Sequence, residues 1–204
     1  MSSSHTRPQM QPDPPRPYPV FLRLAGLPVV VVGGGPIAAS KLDGLLEAGA
    51  RVTLIAPVIC DAVRGRGVTL VERAFASSDL DGARWVVAAA TPEVNRRVAA
   101  AAAERGLFVN AVDDVASATA YLGAIVQRGA AVLAISTGGV APALAGLLRE
   151  ALEAVLPDDL ERWFEVAQAA RAAWKRDATP MAERRPLLLR ALERVYAPAQ
   201  GAVS

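Results

Sequence analysis

Cysteine and histidine are almost absent: the 204-residue chain has one of each, Cys60 and His5. A single cysteine excludes an intrachain disulfide and fits a reducing cytoplasm. His5 lies in a polar, proline-rich start. No histidine therefore remains for a triad, a proton shuttle or a zinc site of the usual His/Cys kind, and no metal ligands are expected. Acid–base work must fall to carboxylates, tyrosine, lysine or hydroxyls. Lysine is scarce too, since all of the 22 basic residues except Lys41 and Lys175 are arginine. Arginine's planar fork suits an anionic ligand, and a general composition bias explains the excess equally well. The net charge of only +2 argues against a dedicated nucleic-acid binder. No run reaches the eighteen or so apolar residues that a membrane span needs, and the start has no apolar secretory core. A soluble, cytoplasmic protein with no membrane partner is expected.

Apolar residues make up 52% of the chain, which excludes global disorder. Residues 1–18 read as a disordered arm, rich in Pro, Ser, Gln and Arg. From Tyr18 onward strand and helix alternate. Val29–Val32 is a β-branched run fit for a strand buried on both faces. Gly33-Gly34-Gly35 follows, then a helical stretch from Pro36 to about Ala48 that Gly49 ends. Further strands are expected at Arg51–Ile55, Val68–Val71, Trp85–Ala90 and Leu107–Val112. Thr91-Pro92-Glu93 opens a helix with a cap, a first-position proline and an acid in the first turn. This rhythm predicts an α/β fold with a parallel, doubly wound sheet. After Asp114 the rhythm changes. Tyr121–Val126 and Ala131–Ile135 read as antiparallel or edge strands joined through Gln127-Arg128-Gly129, and from Pro142 the period is helical. Leu144, Leu147, Leu148, Leu152 and Val155 form one apolar stripe, expected to be core. Leu160, Trp163, Phe164, Ala167 and Trp174 form a second, and Leu188, Leu192, Val195 and Tyr196 a third. Asp158 and Glu161 are expected to cap the middle helix.

Gly33-Gly34-Gly35-Pro36-Ile37-Ala38 matches G-x-G-x-x-A between a buried strand and a helix, the context that the dinucleotide fingerprint requires. Gly33 would allow the tight turn, Gly35 would let the backbone approach a pyrophosphate, and Ala38 would let helix and strand pack closely. An acid about 20 residues further on usually holds the ribose hydroxyl. Here Ala56, Pro57 and Val58 stand at that point, so they would line the adenosine by shape, and NAD and NADP stay open. Ligands of such sheets bind at the carboxyl ends of the strands. That rule puts Gly33–Gly35, Ala56–Pro57, Ala89–Thr91 and Asn110–Asp113 on one rim. Asp113 is the best-placed base there; a solvated turn residue or a helix cap is the other reading. Ser136-Thr137-Gly138-Gly139 would present hydroxyls and free N–H groups to a ligand carboxylate or phosphate, or simply connect into a helix. Arg149, flanked by Glu150, and Arg184-Arg185 would grip carboxylates or lie solvated at the surface.

Taken in order, these pieces resemble the precorrin-2 dehydrogenase family, the oxidase/ferrochelatase module of siroheme synthase. The resemblance runs from Tyr18 to the mid-180s. It is carried by Val32–Gly35 with Ala38 and Lys41, Leu46–Ala50, Ala89–Thr91, Asn95, Asn110–Asp113, Ser136–Gly139, Pro142, Leu147–Glu150 and Glu183–Arg185. It implies a Rossmann dinucleotide-binding domain over 19–115, a dimerisation region with strands over 116–141 and a helical, tetrapyrrole-covering domain over 142–204. It also implies NAD-dependent oxidation of precorrin-2 to sirohydrochlorin by a homodimer, and in many members insertion of ferrous iron, a substrate, to give siroheme. The family's functional aspartate falls on Asp113, and a hydroxyl of its Gly-Gly loop falls on Thr137, where well-known members carry Ser. Cofactor contacts are expected at Gly33, Gly34, Gly35, Pro36, Ile37, Ala56, Pro57, Val58, Ala90 and Thr91. Substrate contacts are expected at Asn110, Ser136, Thr137, Gly138 and Arg149. Some relatives carry a fused uroporphyrinogen methyltransferase domain; with the sequence ending at Ser204, none is expected here. The competing readings are a non-catalytic Rossmann sensor and an oxidoreductase for another small substrate.

Overall fold

The structure, a computed structural model, describes residues 17–196. Most of the expected N-terminal arm lies outside the described residues. The chain divides into two compact units, Met1–Leu122 and Gly123–Ser204.

In the first unit five parallel strands form one sheet: β1 (Pro28–Val32), β2 (Arg51–Ile55), β3 (Thr69–Val71), β4 (Trp85–Ala88) and β5 (Val109–Ala111). Their spatial order is β3-β2-β1-β4-β5. Helix α1 (Pro36–Glu47) links β1 to β2, and α2 (Pro92–Glu104) links β4 to β5. The unbroken valine run of β1 follows from this arrangement. Val29 and Val31 pack with Ala38, Leu42 and Leu45 of α1. Val30 and Val32 pack with Val98, Ala101 and Ala102 of α2. Both faces of β1 are covered, so no polar residue alternates in. The sheet order reverses direction between β1 and β4, and a crevice opens where their carboxyl ends diverge.

Two strands are shorter than the sequence predicts. β4 stops at Ala88, because the Ala90 N–H turns to the Asn95 side chain (3.0 Å). β5 starts only at Val109, because the Leu107 N–H still bonds the Ala102 carbonyl (2.9 Å) and closes α2.

The second unit opens with the antiparallel pair β6 (Ala124–Arg128) and β7 (Ala131–Ile135). Arg128 pairs with Ala131, so Gly129-Ala130 is a two-residue hairpin loop and the turn lies later than expected. Gly129 adopts φ 53°, as such turns demand. Helices α3 (Pro142–Val155), α4 (Leu160–Arg176) and α5 (Met181–Tyr196) follow. The predicted capping pair is not formed. Asp158 instead ion-pairs with Arg128 (3.0 Å), while the residue before α4 is Asp159, which accepts from the Tyr196 hydroxyl (2.9 Å). The Trp163 indole N–H donates to that same Tyr196 oxygen (2.6 Å), tying α4 to α5. The α3 stripe is not core. Leu144, Leu147, Leu148 and Val155 are exposed, and only Ala145 of that helix is buried.

The bend after β1 carries a clear stability expectation. A Cβ at Gly33 would stand 2.2 Å from the Ala89 carbonyl oxygen, and φ there is 130°. Gly33→Ala should cost roughly 3 kcal/mol and lower the melting temperature by about 10 °C. Gly35→Ala should stay within about 1 kcal/mol of the parent, since a Cβ there meets nothing within 4 Å. Thermal denaturation followed by circular dichroism checks both.

Candidate functional site

The three glycines do different jobs. The Gly33 N–H donates to the Ile55 carbonyl (2.9 Å), and its bare Cα lets β1 press against Ala89. Gly34 is pressed from the other side: a Cβ there would lie 2.1 Å from the Val58 carbonyl oxygen, and its own carbonyl accepts from the Cys60 N–H (2.8 Å). Gly35 faces open space at the start of α1. Pro36 follows at the first helical position, Ala38 is fully buried beneath the helix, and Ile37 is half exposed on the cleft side. The chain itself thus explains Gly33 and Gly34 and leaves Gly35 as the position whose missing side chain keeps room beside helix N–H groups. That geometry fits a pyrophosphate.

At the end of β2, Ala56 is buried in the core with its methyl group against Gly34. Side-chain lining for an adenosine comes from Pro57 and Val58, both exposed. A Val58 that is 79% exposed, at a strand end beside a bend open to solvent, is surface that a flat base would cover.

Between α1 and the end of β5 lies a cleft of about 370 Å³. Ile37, Ala89, Ala90 and Pro92 form its apolar side, and Asn95, Arg96, Asp113 and Asp114 its polar side. Its shape is held by Asn95, which is 2% exposed. The Asn95 Oδ1 accepts from the Ala90 N–H (3.0 Å), and its Nδ2 donates to the Val112 carbonyl (3.4 Å). One buried amide therefore ties the loop after β4 to the loop after β5. Thr91 caps α2, its hydroxyl oxygen accepting from the Val94 N–H (3.5 Å) while its own O–H remains free to donate.

The two adjacent acids are used differently. Asp114 binds its own loop, accepting from the Ser117 N–H (3.1 Å). The Ser117 hydroxyl, above all, holds the Asp114 carboxyl below the usual carboxylate range, with help from the Ser117 amide and from the charge of Arg96. Asp113 lines the cleft in a left-handed conformation, φ 58°. Among the described residues nothing donates to its carboxylate or ion-pairs with it. It is a free, exposed base at a strand tip, one peptide away from the carbonyl that Asn95 clamps.

Asn110, expected at the substrate, is buried at 7% exposure, and its amide donates to the Ala120 carbonyl (3.1 Å). The Thr119 hydroxyl accepts from the Val109 N–H (2.8 Å). Together they fasten the returning loop to β5. Ser136, Thr137, Gly138 and Arg149 belong to the second unit. There the Ser136 hydroxyl accepts from the Gly138 N–H (3.1 Å) and the Thr137 hydroxyl from the Ala141 N–H (3.3 Å). Arg149 pairs with Glu153 (2.6 Å) and Glu150 (3.4 Å), so its fork is already engaged. Asn95 and Arg96 are among the cleft residues that sequence reasoning did not assign to the site. Their position in α2, within five residues of Thr91, was the available signal. Among the described residues no group of His, Cys, Asp or Glu is placed to hold a metal ion, and no helix is long and apolar enough to cross a membrane.

The Asp114 carboxyl should titrate below the ordinary aspartate value. Because its folded pKa is lowered, its hold on the 114–118 turn is complete above that value and is lost as pH falls through the lowered one. Ser117→Ala should move the midpoint back up. Carboxyl carbon NMR titration of the two proteins measures this.

Comparison with known proteins follows from residues 20–124, which match a family described as "Putative NAD(P)-binding". Siroheme synthase 1 of Aeromonas salmonicida is 40% identical over 173 residues, covering 82% of this chain and 37% of that protein. The siroheme synthase of Citrobacter koseri is also 40% identical over 173 residues, covering 82% of this chain and 38% of its own length. The chain thus spans under two fifths of these relatives. Among solved structures, SirC, a precorrin-2 dehydrogenase, superposes with a TM-score of 0.64 at 25% identity, covering 85% of this chain and 88% of that one. With the glycine bend, the parallel sheet and the sequence match in agreement over the first unit, the chain belongs to this NAD(P)-binding family.

Proposed function

We propose that this protein is an NAD-dependent dehydrogenase that oxidises precorrin-2 to sirohydrochlorin. The observation that carries this reading is the unpartnered Asp113 carboxylate, at a strand tip in the cleft that Ile37 and Ala90 also line, beside an open glycine bend. Likeness to proteins named siroheme synthase and precorrin-2 dehydrogenase supports the choice of substrate.

The oxidation removes a hydride and a proton from the tetrapyrrole. NAD, when bound, supplies the hydride acceptor, and the organic chemistry is largely its own. The chain supplies alignment and a base. Gly35 and the start of α1 would seat the pyrophosphate, and Pro57 and Val58 would cover the adenosine without an acid on the ribose. Ile37, Ala89 and Ala90 would form the apolar wall that keeps water from the transfer. Asp113 would take the ring proton as the C–H bond breaks. Exposed in the cleft and without a partner among the described residues, its carboxylate is open to a substrate proton.

Insertion of ferrous iron into the product is a separate proposal. The ring nitrogens supply the metal's ligands, so scarcity of His and Cys does not oppose it, and Asp113 would accept pyrrole protons. A homodimer completes the proposal, with the uncovered face of α3 (Leu144, Leu147, Leu148) as apolar surface for a second copy. Ser136 and Thr137 would keep their hydroxyl hydrogens for a substrate group while accepting their internal hydrogen bonds, and only the Gly138 N–H would have to let its bond go.

NADH absorbance should rise together with sirohydrochlorin when precorrin-2 and NAD are added. Asp113→Asn should slow turnover about a hundredfold or more while leaving NAD affinity unchanged. NAD binding without turnover in the parent protein would instead favour a dinucleotide sensor. Gly35→Ala should fold normally yet weaken NAD by about tenfold or more, read by fluorescence titration.

A further inference from the structure

The Asp113 cleft contains two carboxylates, yet the proposed substrate is itself a ring with several carboxylate arms. Like charges at close range repel, so a cleft of this kind needs a cation before such a ring can approach its base. Arg96 meets that need. It lines the same cleft as Asp113 and Asp114. Its backbone position is fixed by its neighbour, because Asn95 is buried and bonded to both loops of the rim. Its side chain is exposed. Four other arginines of the first unit are held by acids, Arg64 by Glu72, Arg66 by Asp43, Arg73 by Asp79 and Arg105 by Asp81, whereas Arg23, Arg84 and Arg97 have no ion pair among the described residues but do not line the cleft. Arg96 has no hydrogen bond or ion pair among the described residues. It feels Asp114 only through space, which helps to keep that acid ionised, and Asp114 is meanwhile tied to Ser117.

A guanidinium left open in a cleft has its planar donor fork available for a ligand carboxylate. We infer that Arg96 grips one carboxylate arm of the tetrapyrrole and thereby sets the ring against Asp113. This rests on the substrate class proposed above. The cofactor's phosphates share the same anionic chemistry. They are the less suitable partner, because Gly35 and the helix N–H groups of α1 already offer them a seat.

The test measures binding without turnover, on the full chain. Sirohydrochlorin and its fully esterified form, whose arms carry no charge, are titrated into the parent, Arg96→Gln and Arg96→Lys, and NAD is titrated separately. Arg96→Gln should weaken sirohydrochlorin about 10- to 100-fold, the range for a charged hydrogen-bonded pair. It should leave the ester and NAD unchanged, and Arg96→Lys should fall between. Equal sirohydrochlorin affinity in parent and Arg96→Gln would overturn the inference. Weaker NAD with unchanged sirohydrochlorin would also overturn it, and would assign Arg96 to the pyrophosphate. A parent that binds the ring in this Arg96-dependent way yet never reduces NAD would sink the dehydrogenase reading alone. A parent that binds no ring would sink both.

Discussion

The close approach of three backbones where β1 ends is the constraint on which the cleft depends. Gly33 touches the Ala89 carbonyl on one side, and Gly34 touches the Val58 carbonyl on the other. The exits of β1, β2 and β4 are thereby locked into contact distance. A side chain at either position would spread them. Because β1 is central and buried on both faces, such spreading would propagate through both halves of the core. Gly35 then starts α1 from a fixed point, with its open side outward. The glycine run is therefore mostly an internal packing device, and only its last member is left for a ligand.

A second constraint acts across the opening. Asn95 is a buried amide that spends its acceptor on Ala90 and its donor on Val112. Leaving either partner unmet would strand a buried polar group, a cost of about 1–3 kcal/mol. The amide thus resists any drift between the loop that would face the cofactor and the loop that carries Asp113. The adjacent acids divide their labour accordingly: Asp114 anchors the turn, and Asp113 stays free. Fixed backbone, anchored turn and free carboxylate together would suit the proposed proton transfer beside a hydride transfer.

Local signals in the sequence were read well. The valine run, the glycine bend and the Thr91-Pro92 helix start each depend on neighbours in the chain, and each forms where expected. Signals that depend on distant partners were not. Asn110 reads as a polar residue on a ligand rim, yet its amide is used by Ala120. Nothing near Asp158 reveals that Arg128 will take it. Asn95 and Arg96 look alike as polar residues of a surface helix; only folding turns the first inward and leaves the second facing a cleft. The α3 stripe has a core-like period, but period alone does not say which partner covers it.

Asp113 sits at φ 58°, a backbone setting that glycine accepts freely and a side chain accepts at a penalty of roughly 1 kcal/mol. Loop comfort and carboxylate placement therefore pull in opposite directions at one residue. Replacing it with glycine would relieve the chain while erasing the charge, so a screen for heat resistance alone would tend to select against the very group that the cleft is built around.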